Sequence, residues 1–486
     1  MATNFFPSNA DMLKFLPETV LTLAGTLLLL VEGFKKERDS RTGVAMFTLL
    51  AIVAAMGASV VAYQNPGLAF SNMVISDGFA AFFRVVAYVV GIFTVLCSMN
   101  YLEREKAHTG EFYILLLFSL AGQGIMASAN ELMMVFIGLE VSSIASYILA
   151  GYLRDDKRSN ESSLKYFLLG SFATAFLLYG VAWIYGMTGS TNLGEIRTAL
   201  SSGAPSSIMV PAAAALILVG FAFKISAAPF QAWAPDVYQG APAPVAGFLS
   251  AGPKAAAFAI FLRVFLTAFD PLAAKFAPVL WMMALATMIV GNFAALWQNN
   301  IKRMLGYSSI AHAGYVLVAV TTHSTMGTAA AMFYLAAYAL MNYGAFAIVT
   351  HVAGDGEKHV TVDDLKGLSQ RQPAVAALLT IFMLSLIGVP LTAGFFGKFY
   401  IFKAAIEGKF VWLTALGLLN SAVAAYYYLR VLVVMYMHEP ETTEHPEEIP
   451  GGVKLTMWVT AAATLVLGIF PGIVLDLANQ FAVLGK

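Results

Sequence analysis

The chain has 486 residues, of which 59% are hydrophobic and 12% are charged, and its formal net charge is zero. Soluble proteins carry about 25% charged residues, so a soluble fold of this length would lack polar surface. The balanced charge provides no basic stripe of the kind that binds nucleic acid. The composition therefore predicts an all-α polytopic membrane protein.

Apolar runs long enough to cross a bilayer follow one another along the whole chain. At about 20 residues per crossing, we predict about fourteen transmembrane helices. The connections between them are too short for a soluble domain. The predicted spans lie near residues 15–34, 43–63, 78–99, 112–128, 131–150, 164–186, 208–228, 243–268, 277–297, 303–321, 327–351, 374–404, 410–435 and 453–480.

Lysine and arginine concentrate in alternate loops, those after the first, third, fifth, ninth and eleventh helices. The intervening loops 63–77 and 321–327 are almost free of both. Because basic loops stay in the cytoplasm, we expect both termini on the periplasmic side. The loop 438–448 is acidic and departs from the alternation, but acidic residues count little in this rule.

Four ionisable side chains lie inside predicted spans. A charge at the centre of a span costs at least about 2.5–3.5 kcal/mol, so such residues normally face an internal pathway. For the carboxylate, a structural role beside Ser142 or Ser143 is the alternative. For the first lysine, which is late in its span, the alternative is snorkelling to the interface. The four residues are Glu140, Lys224, Lys254 and Lys398.

Four further residues in or beside the spans receive different interpretations. His312 can relay protons, and we assign it to the same pathway, with a hydrogen-bonded core histidine as the alternative. Glu131 begins its helix, where a carboxylate suits the positive end of the dipole. Arg84 is expected at an interface or a subunit contact. The only cysteine, Cys97, excludes disulfides and is expected to be a small buried hydrophobe.

Predicted helices seven and twelve are interrupted by helix-breaking residues. Pro229 and Pro235 follow Lys224, whereas Pro390 precedes Lys398. Proline lacks an amide hydrogen and crowds the preceding turn, so neither helix can continue regularly. Broken helices at corresponding positions of two halves indicate an inverted repeat with the ion path at its interface.

These features divide the chain into four parts. Residues 1–110 hold three N-terminal helices, and residues 111–270 hold the first five-helix repeat. The second, inverted repeat is 271–437, and the acidic loop with helix fourteen is 438–486. The pattern favours a proton route in which the pair Glu140 and Lys224 opens and closes, and Lys254 passes protons to Lys398.

The segments around these residues resemble the antiporter-like membrane subunits of bacterial respiratory NADH–quinone oxidoreductase (complex I). The most specific are GLEVSSIASYIL, FKISAAPFQAWAPDVYQGAP, SAGPKAAAF, YSSIAHAGY and GVPLTAGFFGKFY. The resemblance implies two inverted five-helix units with discontinuous helices seven and twelve. It also implies that the proton channel uses Glu140, Lys224, Lys254 and Lys398, with His312 as a member.

Within this family, a lysine in helix twelve and an end after helix fourteen favour the N-type subunit. The resemblance implies that this chain binds no prosthetic group or metal, and that NADH, FMN, iron–sulfur clusters and quinone belong to other subunits. Its neighbours would be subunits K and M and the lateral helix of subunit L, in the bacterial inner membrane.

Two other functions fit the same residues. A subunit of a multisubunit sodium/proton antiporter would share the fold and the lysine–glutamate pair without redox coupling. A structural membrane scaffold would tolerate loss of Lys254 and Lys398. Co-purifying flavin and iron–sulfur subunits would distinguish complex I from the antiporter.

Overall fold

A computed structural model describes residues 7–34, 41–107, 109–202, 208–440 and 448–484. These ranges are almost entirely helical, as predicted. Their only paired strands are β1 (Gly67–Ala69) and β2 (Val74–Ser76), which form a short antiparallel hairpin. The polytopic all-α prediction is confirmed.

The helices follow the predicted order. Before the first repeat lie α1 (Asn9–Lys14), α2 (Leu16–Glu32), α3 (Thr42–Gln64) and α4 (Gly78–Arg104). The first repeat holds α5 (Glu111–Ser128), α6 (Leu132–Ala150), α7 (Lys157–Thr188), α8 (Leu193–Ser201), α9 (Met209–Lys224), α10 (Trp233–Gly240) and α11 (Ala243–Thr267). The second holds α12 (Ala273–Ala295), α13 (Ile301–Thr321), α14 (Thr325–Val352), α15 (Leu368–Arg371), α16 (Pro373–Ile387), α17 (Ala393–Glu407) and α18 (Val411–Met437). Last come α19 (Gly451–Ile469) and α20 (Gly472–Phe481).

Each predicted span coincides with a helix or with two helices in succession. Among the described residues, eleven helices are long and apolar enough to cross a membrane, and α9 and α16 are shorter apolar helices. The number fourteen stays a prediction. The span 453–480 was predicted as one helix, which is wrong: it divides into α19 and α20. Pro471 explains the division, because the residue before a proline is disfavoured in the helical conformation.

The predicted breaks in helices seven and twelve are confirmed. The seventh divides into α9 and α10, and the twelfth into α16 and α17. The connection 354–372 contains two short 3-10 helices, Asp355–Glu357 and Asp363–Leu365, followed by α15. Most of the first basic loop, 35–40, and of the acidic loop, 441–447, lies outside the described residues.

Capping side chains fix several helix starts that position the site. Glu131 precedes α6 and accepts a hydrogen bond from the amide of Met134 at 2.9 Å, which confirms its predicted helix-end role. Asp77 and Asn300 cap α4 and α13 in the same way. These caps satisfy amides that have no partner within their own helix.

The centre of the molecule is formed by α11, α13 and α14. The most apolar stretches of these three helices are 100%, 94% and 89% buried. The corresponding stretches of α7 and α18 are each 39% buried, and that of α12 is 33% buried. A helix surrounded by protein on every side is apolar around its whole circumference. Polar side chains on α11 and α13 therefore lie within protein.

Two ion pairs, one buried and one partly buried, join the N-terminal helices to one another and to this centre. Arg84 on α4 forms two hydrogen bonds to Glu18 on α2, at 2.7 and 3.0 Å. Arg263 on α11 forms two to Asp77, at 2.8 and 2.9 Å. The predicted subunit contact of Arg84 is wrong: its side chain is buried within this chain, where a guanidinium needs a carboxylate partner, and Glu18 supplies it.

Candidate functional site

Lys224 is the last residue of α9, and its side chain ends inside the protein. It is buried, and Nζ donates to the hydroxyl of Ser143 on α6 at 2.9 Å and to that of Tyr166 on α7 at 3.0 Å. Nζ also lies 5.2 Å from the centre of the Tyr166 ring. The snorkelling alternative is therefore wrong, since the amine is held by two hydroxyl groups.

The chain breaks immediately after Lys224. Ser226 adopts a left-handed conformation with φ of 61°, and α10 begins only at Trp233. The Trp233 ring stacks on Tyr166 at 4.4 Å, and its Nε1 donates to the carbonyl of Phe223 at 2.9 Å. In a membrane every freed backbone group needs a partner. Trp233 thus closes the break and holds Tyr166 against the lysine.

Glu140 lies at the edge of this site rather than deep within it. Its side chain is only half-buried, on a face of α6 that also carries the exposed residues Ile137 and Ile144. It interacts electrostatically with Lys224. Its Oε1 has no hydrogen-bond partner in the described part of the chain, so the Ser142 or Ser143 alternative does not hold for this atom.

Lys254 lies in the middle of α11, which continues through Pro253. The side chain is buried, and Nζ donates to the carbonyl of Ser309 on α13 at 3.0 Å and to the Ser309 hydroxyl. Tyr238 of α10 joins this site to the first, because its hydroxyl also meets Ser309 and its ring packs 6.0 Å from Trp233. Aromatic side chains therefore connect the two lysines.

His312 lies one turn beyond Ser309 on α13. Nδ1 is 2.5 Å from the hydroxyl of Tyr334 on α14, and Nε2 is 3.1 Å from that of Tyr428 on α18. The space between Lys254 and His312 is too narrow for a water molecule in this conformation. Both ring nitrogens are occupied by hydroxyls, and the described residues contain no group of three metal-ligating side chains.

Lys398 projects from α17 into the break that precedes it. Nζ donates to the carbonyls of Leu386 and Ile387 at 3.0 and 2.8 Å, and to the hydroxyl of Ser421 at 2.8 Å. The last carbonyls of a helix lack partners within it. An ammonium group at this end also suits the helix dipole. The break thus creates the acceptors that hold Lys398.

Three tyrosines and an asparagine connect His312 to Lys398; we call them the tyrosine cluster. Tyr428 contacts Tyr427, with ring centres 4.3 Å apart, and the Tyr427 hydroxyl donates to Oδ1 of Asn292 at 3.1 Å. Nδ2 of Asn292 donates to the Tyr315 hydroxyl at 3.2 Å. That hydroxyl also meets Ser421, the partner of Lys398. The members are Tyr315, Tyr427, Tyr428 and Asn292.

The structure therefore brings all five predicted site residues into one continuous series of polar and aromatic side chains. Lys224, Lys254, His312 and Lys398 are buried within it, and Glu140 stands at its edge. Sequence reasoning missed the groups that connect them. A signal was present in the run of tyrosines in the thirteenth predicted span and in the asparagine of the ninth.

Comparison with known proteins agrees with this fold. Residues 129–424 match the family described as NADH:quinone oxidoreductase/Mrp antiporter, TM. NADH-quinone oxidoreductase subunit N 1 of Solibacter usitatus is 60% identical over 97% of both chains. A chain of respiratory complex I from Thermus thermophilus superposes with a TM-score of 0.80 at 34% identity, over 95% of this chain and 99% of that one.

A chain of the Mrp complex from a Dietzia species has a TM-score of 0.83, covers 97% of both chains and is 20% identical, so this likeness shows the fold alone. The stronger sequence match is to the oxidoreductase subunit. The chain belongs to the NADH:quinone oxidoreductase/Mrp antiporter membrane family and, within it, to the N subunits of NADH-quinone oxidoreductase.

Proposed function

We propose that protons move through this subunit along the buried series Glu140, Lys224, Lys254, His312 and Lys398. As an N subunit, the chain is a membrane part of the proton-translocating oxidoreductase. The observation that supports the route is the placement of the three amines: none reaches solvent, and each ends on protein hydroxyls or carbonyls. Buried amines in a membrane protein mark ion pathways.

The series begins at Glu140, which lies beside an exposed face of α6. At this end Glu140 is half-buried, and its charge acts on Lys224. A neighbouring membrane subunit placed against the exposed face of α6 would change the surroundings of Glu140, and with them the strength of its attraction to Lys224. We infer that this face meets another subunit of the complex, with subunits K and M as the neighbours and the lateral helix of subunit L lying alongside.

We assign the electron-transfer groups to other subunits of the complex. NADH, FMN, iron–sulfur clusters and quinone bind to other subunits, and this chain moves protons in response to their chemistry. The alternation of basic loops supports both termini on the periplasmic side of the bacterial inner membrane. Protons would then be taken up on the side of the basic loops and released on the other.

The test replaces Lys254 by methionine in the whole complex. Losing a positioned proton-transfer group slows transfer by about 10²-fold or more. The expected result is the loss of this subunit's share of protons pumped per NADH oxidised, measured in inverted membrane vesicles. NADH–ferricyanide activity reports the remaining assembly of the electron-transfer subunits.

Lys403→Met is the matched control. Lys403 lies on α17, is 49% exposed and pairs with Glu407 at 4.0 Å. Normal pumping in Lys254→Met would refute the route and favour the scaffold. Co-purification with only small membrane subunits, without flavin or iron–sulfur proteins, would favour the sodium/proton antiporter.

A further inference from the structure

A buried carboxylate outside the series occupies the side of the molecule that carries the basic loops. Glu357 ends the 3-10 helix Asp355–Glu357, and both of its oxygens are paired. Oε1 accepts from the Tyr101 hydroxyl and from the amide of Ala243, each at 2.7 Å. Oε2 pairs with Nζ of Lys302, which also donates to the carbonyl of Ala241 at 2.6 Å.

These contacts place Glu357 where three parts of the chain meet. Tyr101 belongs to α4, Ala243 is the first residue of α11, and Lys302 is in the first turn of α13. The carboxylate therefore sits at the positive end of the helix that carries Lys254. Glu357 itself has a left-handed φ of 49°, a costly conformation for a residue with a side chain.

A polar cavity leads to this carboxylate from the surface. Its volume is about 620 Å³, and Glu357, Glu105, Tyr152, Asp155 and Arg158 are among its lining residues. Its walls also hold the loop that bears Glu357. The amide of Gly356 donates to the Glu105 carboxylate at 3.0 Å, and Arg158 donates to the Gly356 carbonyl at 3.4 Å.

On the inner side, one face of α13 leads from this ion pair to the buried series. Lys302, Gly306 and Ser309 follow one another at spacings of four and three residues, so they share a face of the helix. Tyr238 packs against Gly306, where a side chain would meet its ring. Its hydroxyl donates to the carbonyl of Leu249 at 3.4 Å and also interacts with Ser309. Ser309 in turn holds Lys254.

We propose that Glu357 is the group that takes up protons from the polar cavity, and that its ion pair with Lys302 is the gate to the buried series. A hydronium ion in the cavity gives its proton to Oε2 and leaves as water, which releases Lys302. The Lys302 ammonium gives one proton to the neutral amine of Lys254 by way of the hydroxyls of Tyr238 and Ser309, and regains one from Glu357. The inference rests on the proposed route through Lys254.

Two substitutions separate proton uptake from a structural role. Glu357→Asp keeps a titratable carboxylate on a shorter side chain. Glu357→Gln keeps the length and an acceptor for Tyr101 and Ala243 but cannot carry a proton. Uptake predicts that the aspartate variant pumps better than the glutamine variant, whereas a purely structural role predicts the reverse order.

The measurement is proton pumping per NADH in inverted vesicles that contain the assembled complex. We expect proton uptake in Glu357→Gln to slow by about 10²-fold or more. Asp155→Asn is the control, because Asp155 is an exposed carboxylate of the same cavity, and it should pump normally. Normal pumping in Glu357→Gln, beside impaired pumping in Lys254→Met, would overturn this inference alone.

The single substitution leaves Lys302 buried and unpaired, which can prevent assembly. The double variant Glu357→Gln/Lys302→Gln removes both charges together. An assembled double variant that does not pump supports the proposal. One that pumps like the wild type overturns it.

Discussion

Lys224 and Lys398 are held by acceptors of different kinds. Lys224 donates to the hydroxyls of Ser143 and Tyr166, whereas two of the three partners of Lys398 are backbone carbonyls. A hydroxyl can both accept and donate, but a carbonyl can only accept. Lys224 can therefore exchange a proton with either partner, while Lys398 can do so only with Ser421.

Removing the Tyr427 hydroxyl tests whether the tyrosine cluster is needed for proton pumping. Tyr427→Phe leaves Oδ1 of Asn292 buried without its donor, at a cost of about 1–3 kcal/mol. Asn292 then no longer fixes Tyr315, which lies under the Lys398 ammonium. We expect fewer protons pumped per NADH, with NADH–ferricyanide activity retained.

Tyr436→Phe is the matched control for this substitution. Tyr436 lies on the same helix, is 47% exposed and only accepts a hydrogen bond from Thr380. It should pump normally. Equal pumping by the two variants would contradict a positioning role for the tyrosine cluster.

The sequence predicted which ionisable residues lie in the site but not their hydrogen-bond partners. A lysine within an apolar run is conspicuous because burying it is costly. Tyr315 is not conspicuous, and the run of tyrosines that contains Tyr427 does not reveal its partners, because these are set by packing between distant segments. Glu18 was missed for a related reason: it lies near the start of its span, and its partner Arg84 is 66 residues away.

The break between α16 and α17 depends on the close approach of the backbone at Gly394 to the carbonyl of Ser385. A side-chain carbon at Gly394 would lie 1.8 Å from the carbonyl oxygen of Ser385. Gly394→Ala must therefore push the two half-helices apart, at about 1–3 kcal/mol or more. We expect a lower thermal unfolding temperature of the purified complex and impaired pumping, because Lys398 depends on the same break.

Gly186→Ala provides the comparison within a long regular helix. A side-chain carbon there meets nothing within 4 Å. Alanine also favours helix over glycine by about 1 kcal/mol. This variant should unfold at the same or a higher temperature. A Gly394→Ala complex as stable as Gly186→Ala would show that the break adapts to a side chain.

The breaks at helices seven and twelve were predictable because proline and glycine act locally. The division at Pro471 follows the same rule, yet 453–480 was predicted as one helix because its apolar run continues across the proline. The half-burial of Glu140 could not be predicted. Spacing along α6 shows which residues share a face, but not whether this chain or a neighbour covers that face.

The ion pair between Arg263 and Asp77 joins the central helix α11 to the N-terminal helices. Arg263→Gln leaves the Asp77 carboxylate without its partner. We expect a loss of about 2–3 kcal/mol, below the full range for a buried pair because Asp77 is 28% exposed. Thermal unfolding of the purified complex measures the effect.

Arg197→Gln is the control, since Arg197 pairs with Asp270 at 2.8 Å but is 41% exposed. An exposed pair contributes about 0–1 kcal/mol. Equal effects of the two substitutions would mean that the Arg263 pair does not hold the N-terminal helices to the centre.

Asn292 has a consequence for energy conversion. A carboxamide binds its neighbours tightly, yet it neither gives up nor takes on a hydrogen ion as a tyrosine, lysine or histidine does. The chain of contacts from His312 to Lys398 therefore contains one insulating link. Proton transfer between His312 and Lys398 through these contacts therefore requires Asn292 to move or a water molecule to bypass it, so the amide separates the two titratable groups between transfers.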